Sequence, residues 1–124
     1  MPAIRFDRER LEAAFARGEP LLERPGYKVH ASRREAPGEA ELHRFETDVF
    51  YVLEGEAVLV AGGRMVEPAE IEPGQIRGTA IEGGTEHRLA GGDLIVIPAD
   101  EPHWFREVVR APFVYLVVKA IASG

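Results

Sequence analysis

Glycine-rich turns recur along this chain after residue 26, at Gly55, Gly62-Gly63, Gly83-Gly84 and Gly92, and set off short strand-like runs such as 56–61 and 85–89. That spacing predicts an all-β fold of short antiparallel strands, closed as a barrel or a jelly-roll sandwich. Ahead of it, Asp7 to Arg17 has a helical period: Asp7 is a ready N-cap, Leu11, Ala14 and Phe15 share a stripe, and Gly18 is a natural stop. The expected layout is therefore a helical arm over residues 1–26, its helix lying on the outside of a barrel formed by residues 27–124. A chain of 124 residues suits one domain with one core.

Within the barrel, Tyr27, Val29 and Ala31 alternate with Lys28, His30 and Ser32, which reads as a half-buried strand with its polar side, His30 included, at the surface or rim. Residues 56–61 continue as strand, turn at Gly62-Gly63 and return through Arg64-Met65-Val66. Residues 67–78 read as an inserted loop whose Arg77 can reach the barrel mouth and pair with a substrate carboxylate. Residues 79–82 and 85–89 read as a hairpin about Gly83-Gly84, with His87 on a solvated face. Leu94-Ile95-Val96-Ile97 and the run from Phe113 to Val118 are apolar on both faces and are expected to be buried on both, under the helix or a second subunit.

Ligand chemistry is concentrated in two stretches, Glu41 to Gly55 and Gly92 to His103. Glu41, His43 and Phe45 fall on one face of a short strand; after a turn at Glu46-Thr47 a second strand begins at Asp48, so that an imidazole and a carboxylate meet across a hairpin. In the second stretch an apolar run ends at Pro98 and delivers His103 to the start of another strand. Two imidazoles with one or two carboxylates suit one divalent ion such as Fe, Mn, Ni, Co or Zn, and the chain has no cysteine to offer instead. Phe105 shares a face with His103, and Phe50 and Val52 share one with Asp48; with Phe45 they form an expected apolar wall around the ion.

The spacings Asp48-x6-Gly55 and Gly92-x5-Pro98-x-Asp100-x2-His103-x3-Glu107 resemble the two motifs of the cupin superfamily, with Asp for Glu in the first and Asp for Gly and Glu for Asn in the second. The resemblance runs from about Ala36 to Val118 and implies a cupin-type barrel, usually with one metal ion, and a homodimer. It implies His43, Asp48 and His103 as ligands. One histidine of the first motif is missing, and either Glu41 or Phe45 stands in its place; the Glu41 register needs no shortening of the turn.

An excess of 21 acidic over 15 basic residues argues against nucleic acid as a partner. The chain holds no apolar run of about 18 residues, and its start, MPAIRFDRER, is charged where a signal peptide is apolar, so a cytoplasmic protein without membrane contact is expected. Three functions stay open: a metal-dependent enzyme (dioxygenase, isomerase or lyase) acting on a small organic acid, sugar derivative or phenolic compound, with Glu41 or Glu107 moving protons; a small-molecule binding protein; and a metal-free structural or interaction module.

Overall fold

The computed structural model describes residues 2–122. The chain runs α1 (Arg8–Arg17), β1 (Pro20–Glu23), β2 (Tyr27–Arg34), β3 (Ala40–His43), β4 (Glu46–Ala61), β5 (Arg64–Val66), β6 (Ala69–Glu72), β7 (Gln75–Gly78), β8 (Ala80–Glu82), β9 (Thr85–Ala90), β10 (Leu94–Ile97) and β11 (His103–Ile121). All strand pairs are antiparallel, so the all-β expectation with one N-terminal helix holds.

Two long strands carry the architecture. β4 and β11 pair from His103↔Ala61 to Ile121↔Glu46, and both bend where Gly55 faces residues 110–112. There the backbones come so close that a Cβ on Gly55 would lie 2.2 Å from the Pro112 carbonyl oxygen, and its φ of +88° also favours glycine. Register shifts cluster at the same corner, which is how a strand changes direction without losing its partner. The bend lets one strand pair serve two sheets. Residues 46–54 and 113–121 lie in the order β1-β2-β11-β4-β10, and residues 56–61 and 103–110 in the order β9-β4-β11-β3-β7-β6.

Between the sheets Phe50, Val52, Leu59, Phe105, Phe113 and Tyr115 form the main core, with Phe50 stacked on Phe105 at 5.7 Å. Outside, a second cluster joins Ala40, Val60 and Ile76 to Met65 and Ile81 on the β5–β8 ribbon. Helix α1 begins at the Asp7 cap, which accepts from Arg10 N, and ends at Gly18; its Ala14 is fully buried and the helix packs on β2. Among the described residues no helix is long and apolar enough to cross a membrane.

Four local expectations change. β3 pairs with β11 and β7 whereas β4 pairs with β10, β11 and β9, so the Arg44-Phe45 link is an arch between sheets rather than a hairpin. Residues 67–78 are the β6–β7 hairpin, which extends β3 in register, rather than a loop. The hairpins expected about Gly62-Gly63 and Gly83-Gly84 are not formed: β5 pairs with β8, and residues 56–61 of β4 pair with β9. Finally, β10 buries Ile97 but leaves Leu94 and Val96 exposed by 59% and 51%, because what covers the sheet's outer face is α1, over β2.

Candidate metal centre

His43 ends β3, His103 starts β11, and Glu41 lies directly opposite His103 in the β3–β11 ladder. Strand parity sends Glu41 and His43 to the interior while Ala40 and Leu42 join the outer cluster. Asp48, on β4 across the arch, is 1% exposed. Glu41 and Asp48 each lie close to both imidazoles. His43 Nε2 lies 3.4 Å from Glu41 Oε2 and 3.7 Å from Asp48 Oδ2; His103 Nε2 lies 3.8 Å and 3.6 Å from the same two atoms.

Each imidazole is oriented from behind. His43 Nδ1 donates to Gln75 Oε1 at 2.5 Å, across the β3–β7 pair, and His103 Nδ1 donates to the Glu101 carbonyl at 3.2 Å. With Nδ1 carrying the proton, each Nε2 keeps a lone pair toward the two carboxylates, which is how a metal-ligating histidine is usually held. His43 Nε2 is buried and has no hydrogen-bond partner among the described residues. A ligand atom of each of Glu41, His43 and His103 lies within 4.8 Å of the others. Donors about 2.1 Å from a tetrahedral ion sit about 3.4 Å apart, close to the contacts here, so the residues fit one small divalent cation.

The electrostatics ask for positive charge at that point. Burial pushes Glu41 up, but the His43 imidazole beside it and the charges of Arg77 and His103 outweigh it and bring its pKa down to about 2. Burial works against a charged His43, yet Glu41 and Gln75 raise its pKa, while burial lowers that of His103. A proton on His43 and a metal ion therefore compete for one position. Held as a carboxylate, Glu41 is suited to ligation rather than to donating a proton.

Neither a protein-family model nor a curated protein matches the chain. Solved structures do. BH2720 from Bacillus halodurans aligns with a TM-score of 0.70 at 15% identity, over 100% of this chain and 84% of its own. An RmlC-like cupin family protein with a double-stranded β-helix fold, from Methanocaldococcus jannaschii, aligns with a TM-score of 0.57 at 13% identity, over 84% and 78%. The chain has the cupin fold. The DMSP lyase DddQ from Ruegeria pomeroyi aligns with a TM-score of 0.53 at 22% identity, over 78% of this chain and 39% of that protein.

The chain's remaining expected site residues divide. Phe50 and Phe105 line a cavity of about 120 Å³ beside the donors, whereas Val52 is packed away in the core. Phe45 is not in the wall: β3 stops at His43, and Phe45 sits on the arch, 44% exposed and packed on Gly74. Glu107 is not near the donors either. A bulge between Phe105 and Glu107 adds a residue, so Arg106 and Glu107 both turn to solvent and Val108 packs against the core instead. Arg77 does reach the site, but its Nη1 pairs with Glu41 Oε1 at 3.5 Å.

Several lining residues escaped sequence reasoning. Lys119 Nζ lies 2.7 Å from Asp48 Oδ1, and His30, Ser32, Arg34 and Tyr115 complete the cavity wall. The β2 alternation carries the signal of His30, Ser32 and Arg34, whose polar face turns to the interior rather than to the surface. His87, on β9, is outside the cavity lining.

Proposed function

We propose that this cupin binds one divalent metal ion through Glu41, His43 and His103, with Asp48 Oδ2 facing the same point, and binds or transforms a small organic molecule in the adjoining cavity. The observation that carries this reading is that a ligand atom of each of Glu41, His43 and His103 lies within 4.8 Å of the others, while His43 Nε2 has no hydrogen-bond partner among the described residues. When bound, the ion supplies Lewis acidity toward a carbonyl or enolate oxygen, or a site for dioxygen. The chain's own contribution is to hold that chemistry in a small space. Gln75 and the Glu101 carbonyl fix the imidazoles, the Lys119–Asp48 pair fixes the second carboxylate, and Phe50 and Phe105 exclude water from one side. That DddQ is named a DMSP lyase makes lyase chemistry one of the activities to be screened, beside isomerase and dioxygenase.

A metal-free binding or structural module is the alternative, and it draws support from the Lys119–Asp48 and Arg77–Glu41 pairs, which already balance the acids. Metal analysis of protein purified without chelator or nickel column separates the two. Near-stoichiometric metal that vanishes in the His43→Ala/His103→Ala double variant is expected, and a wild type free of metal that also refuses added zinc would leave the module reading. We further infer a homodimer formed through the outer face of β4 and β10, where Tyr51, Leu53, Leu94 and Val96 are exposed beside an edge strand.

A further inference from the structure

The acids that meet at the centre of this site each have a cationic partner. Lys119 lies against Asp48 and, at 3.3 Å, Glu46, while Arg77 lies against Glu41. The cavity wall has one more cation, Arg34, and among the described residues it makes no ion pair within 4 Å. Its guanidinium is nevertheless built in. Nε donates to the Tyr115 hydroxyl at 3.2 Å, and Cζ stands 4.7 Å from the centre of the Phe105 ring. Gly38 packs directly against the Nη groups: a Cβ there would lie 2.6 Å from Nη1 and 3.0 Å from Nη2, too close to fit beside the guanidinium. Gly38 has no positive φ, and space is the reason for glycine here.

Two residues along the same face of β2, His30 lines the same cavity with its Nε2 3.4 Å from Glu23 Oε1, and Ser32 lies between them. The inward face of β2 thus offers a fixed cation that has no ion-pair partner among the described residues. We propose that the cavity takes a small monocarboxylic acid, its carboxylate held by the Nη groups of Arg34 and the rest of the molecule directed along β2 toward the histidine centre. Monoanion is preferred to phosphate because only one guanidinium is uncompensated, Lys119 being committed to Asp48 and Glu46. The size follows from volume: about 120 Å³ corresponds to roughly four waters of liquid.

This inference rests on the reading of the cavity as a small-molecule site, and it is independent of whether the metal binds. The test is calorimetric titration of zinc-free and zinc-loaded protein with propionate, its neutral counterpart propionamide, and inorganic phosphate. Propionate should bind both forms and propionamide neither, and Arg34→Gln should weaken propionate about tenfold or more while leaving zinc affinity unchanged. Propionate that binds Arg34→Gln as well as wild type, or fails to bind wild type, overturns the proposal, as does phosphate binding more tightly than propionate. If Arg34→Gln does not fold, Arg34→Lys and Gly38→Ala carry the same question, the first removing the planar fork and the second crowding it; unchanged affinity in both overturns the proposal. Arg34-dependent propionate binding in a protein that refuses zinc would remove the metal reading and leave this one standing. Zinc binding without propionate binding would do the reverse.

Discussion

β2 and β10 lie in one sheet and obey the same two-residue alternation, yet they orient it differently. On β2 the polar residues His30, Ser32 and Arg34 face the cavity, while Ala31 and Arg33 face outward beneath α1 and the Gly18 cap. On β10 both faces are apolar; Ile97 points inward and Leu94 and Val96 face out. Alternation says which side chains share a face. Which face is the interior depends on what covers the strand and on whether the interior holds a polar site, and neither is written within the strand itself.

The sharpest way to test that contrast is to cut into the shared interior. Phe113 is fully buried and packs against Phe105 at 5.5 Å and Tyr115 at 5.0 Å. Phe113→Ala should cost about 3–5 kcal/mol, read from the midpoint of urea unfolding. A loss below about 1 kcal/mol would mean that the sheets do not close over this ring.

The second test addresses what gives β2 its sidedness. Ala14 is the fully buried contact of α1, so Ala14→Glu places an unpaired carboxylate between helix and sheet. About 2–3 kcal/mol of stability should be lost, with loss of helical circular dichroism before the β signal melts. A change within about 0.5 kcal/mol would indicate that the helix does not hold the outer face of β2.

Much of the site follows from parity alone. Glu41 with His43, His103 with Phe105, and Asp48 with Phe50 each share an inward face in the sequence and in the fold. The Glu41 register follows from the same rule, since Glu41 lies level with His103 while Phe45 lies on the arch. What was illegible depended on partners far along the chain. Gln75 was hidden in a segment read as a loop because nothing local shows that β7 pairs with β3. Glu107 was misplaced by a bulge, which adds a residue without changing composition. Arg34 and Lys119 become cavity residues only when the two sheets enclose them.

Within the interior, the Glu41–His43 pair predicts a pH signature in zinc-free protein, taken as the stability of wild type minus that of Glu41→Gln. Glu41 is depressed from 4.5 to about 2, so its contribution is present above 4.5 and is lost as pH falls from there toward 2. His43 is raised above 6.5, so its contribution is present below 6.5 and is lost as pH rises through its folded value. The difference should therefore peak between pH 4.5 and 6.5, at about 1.5–3 kcal/mol. A difference that is flat across this range, from urea midpoints at a series of pH values, would show that the two groups do not pair.

The smallest expected effect is on β10. Leu94 and Val96 are exposed, so Leu94→Thr/Val96→Thr removes little buried area from the monomer. Threonine also keeps a branched side chain suited to a strand. Measured at a concentration low enough to dissociate any dimer, unfolding should shift by no more than about 0.5 kcal/mol. At higher concentration the same substitutions act on the proposed dimer face, whose edge strand can pair with its own copy. Sedimentation should then show a dimeric wild type and a variant shifted toward monomer. Equal sedimentation of the two would place any dimer contact elsewhere, whereas a large loss of monomer stability would mean that this outer face is covered by the chain itself, as it is on β2.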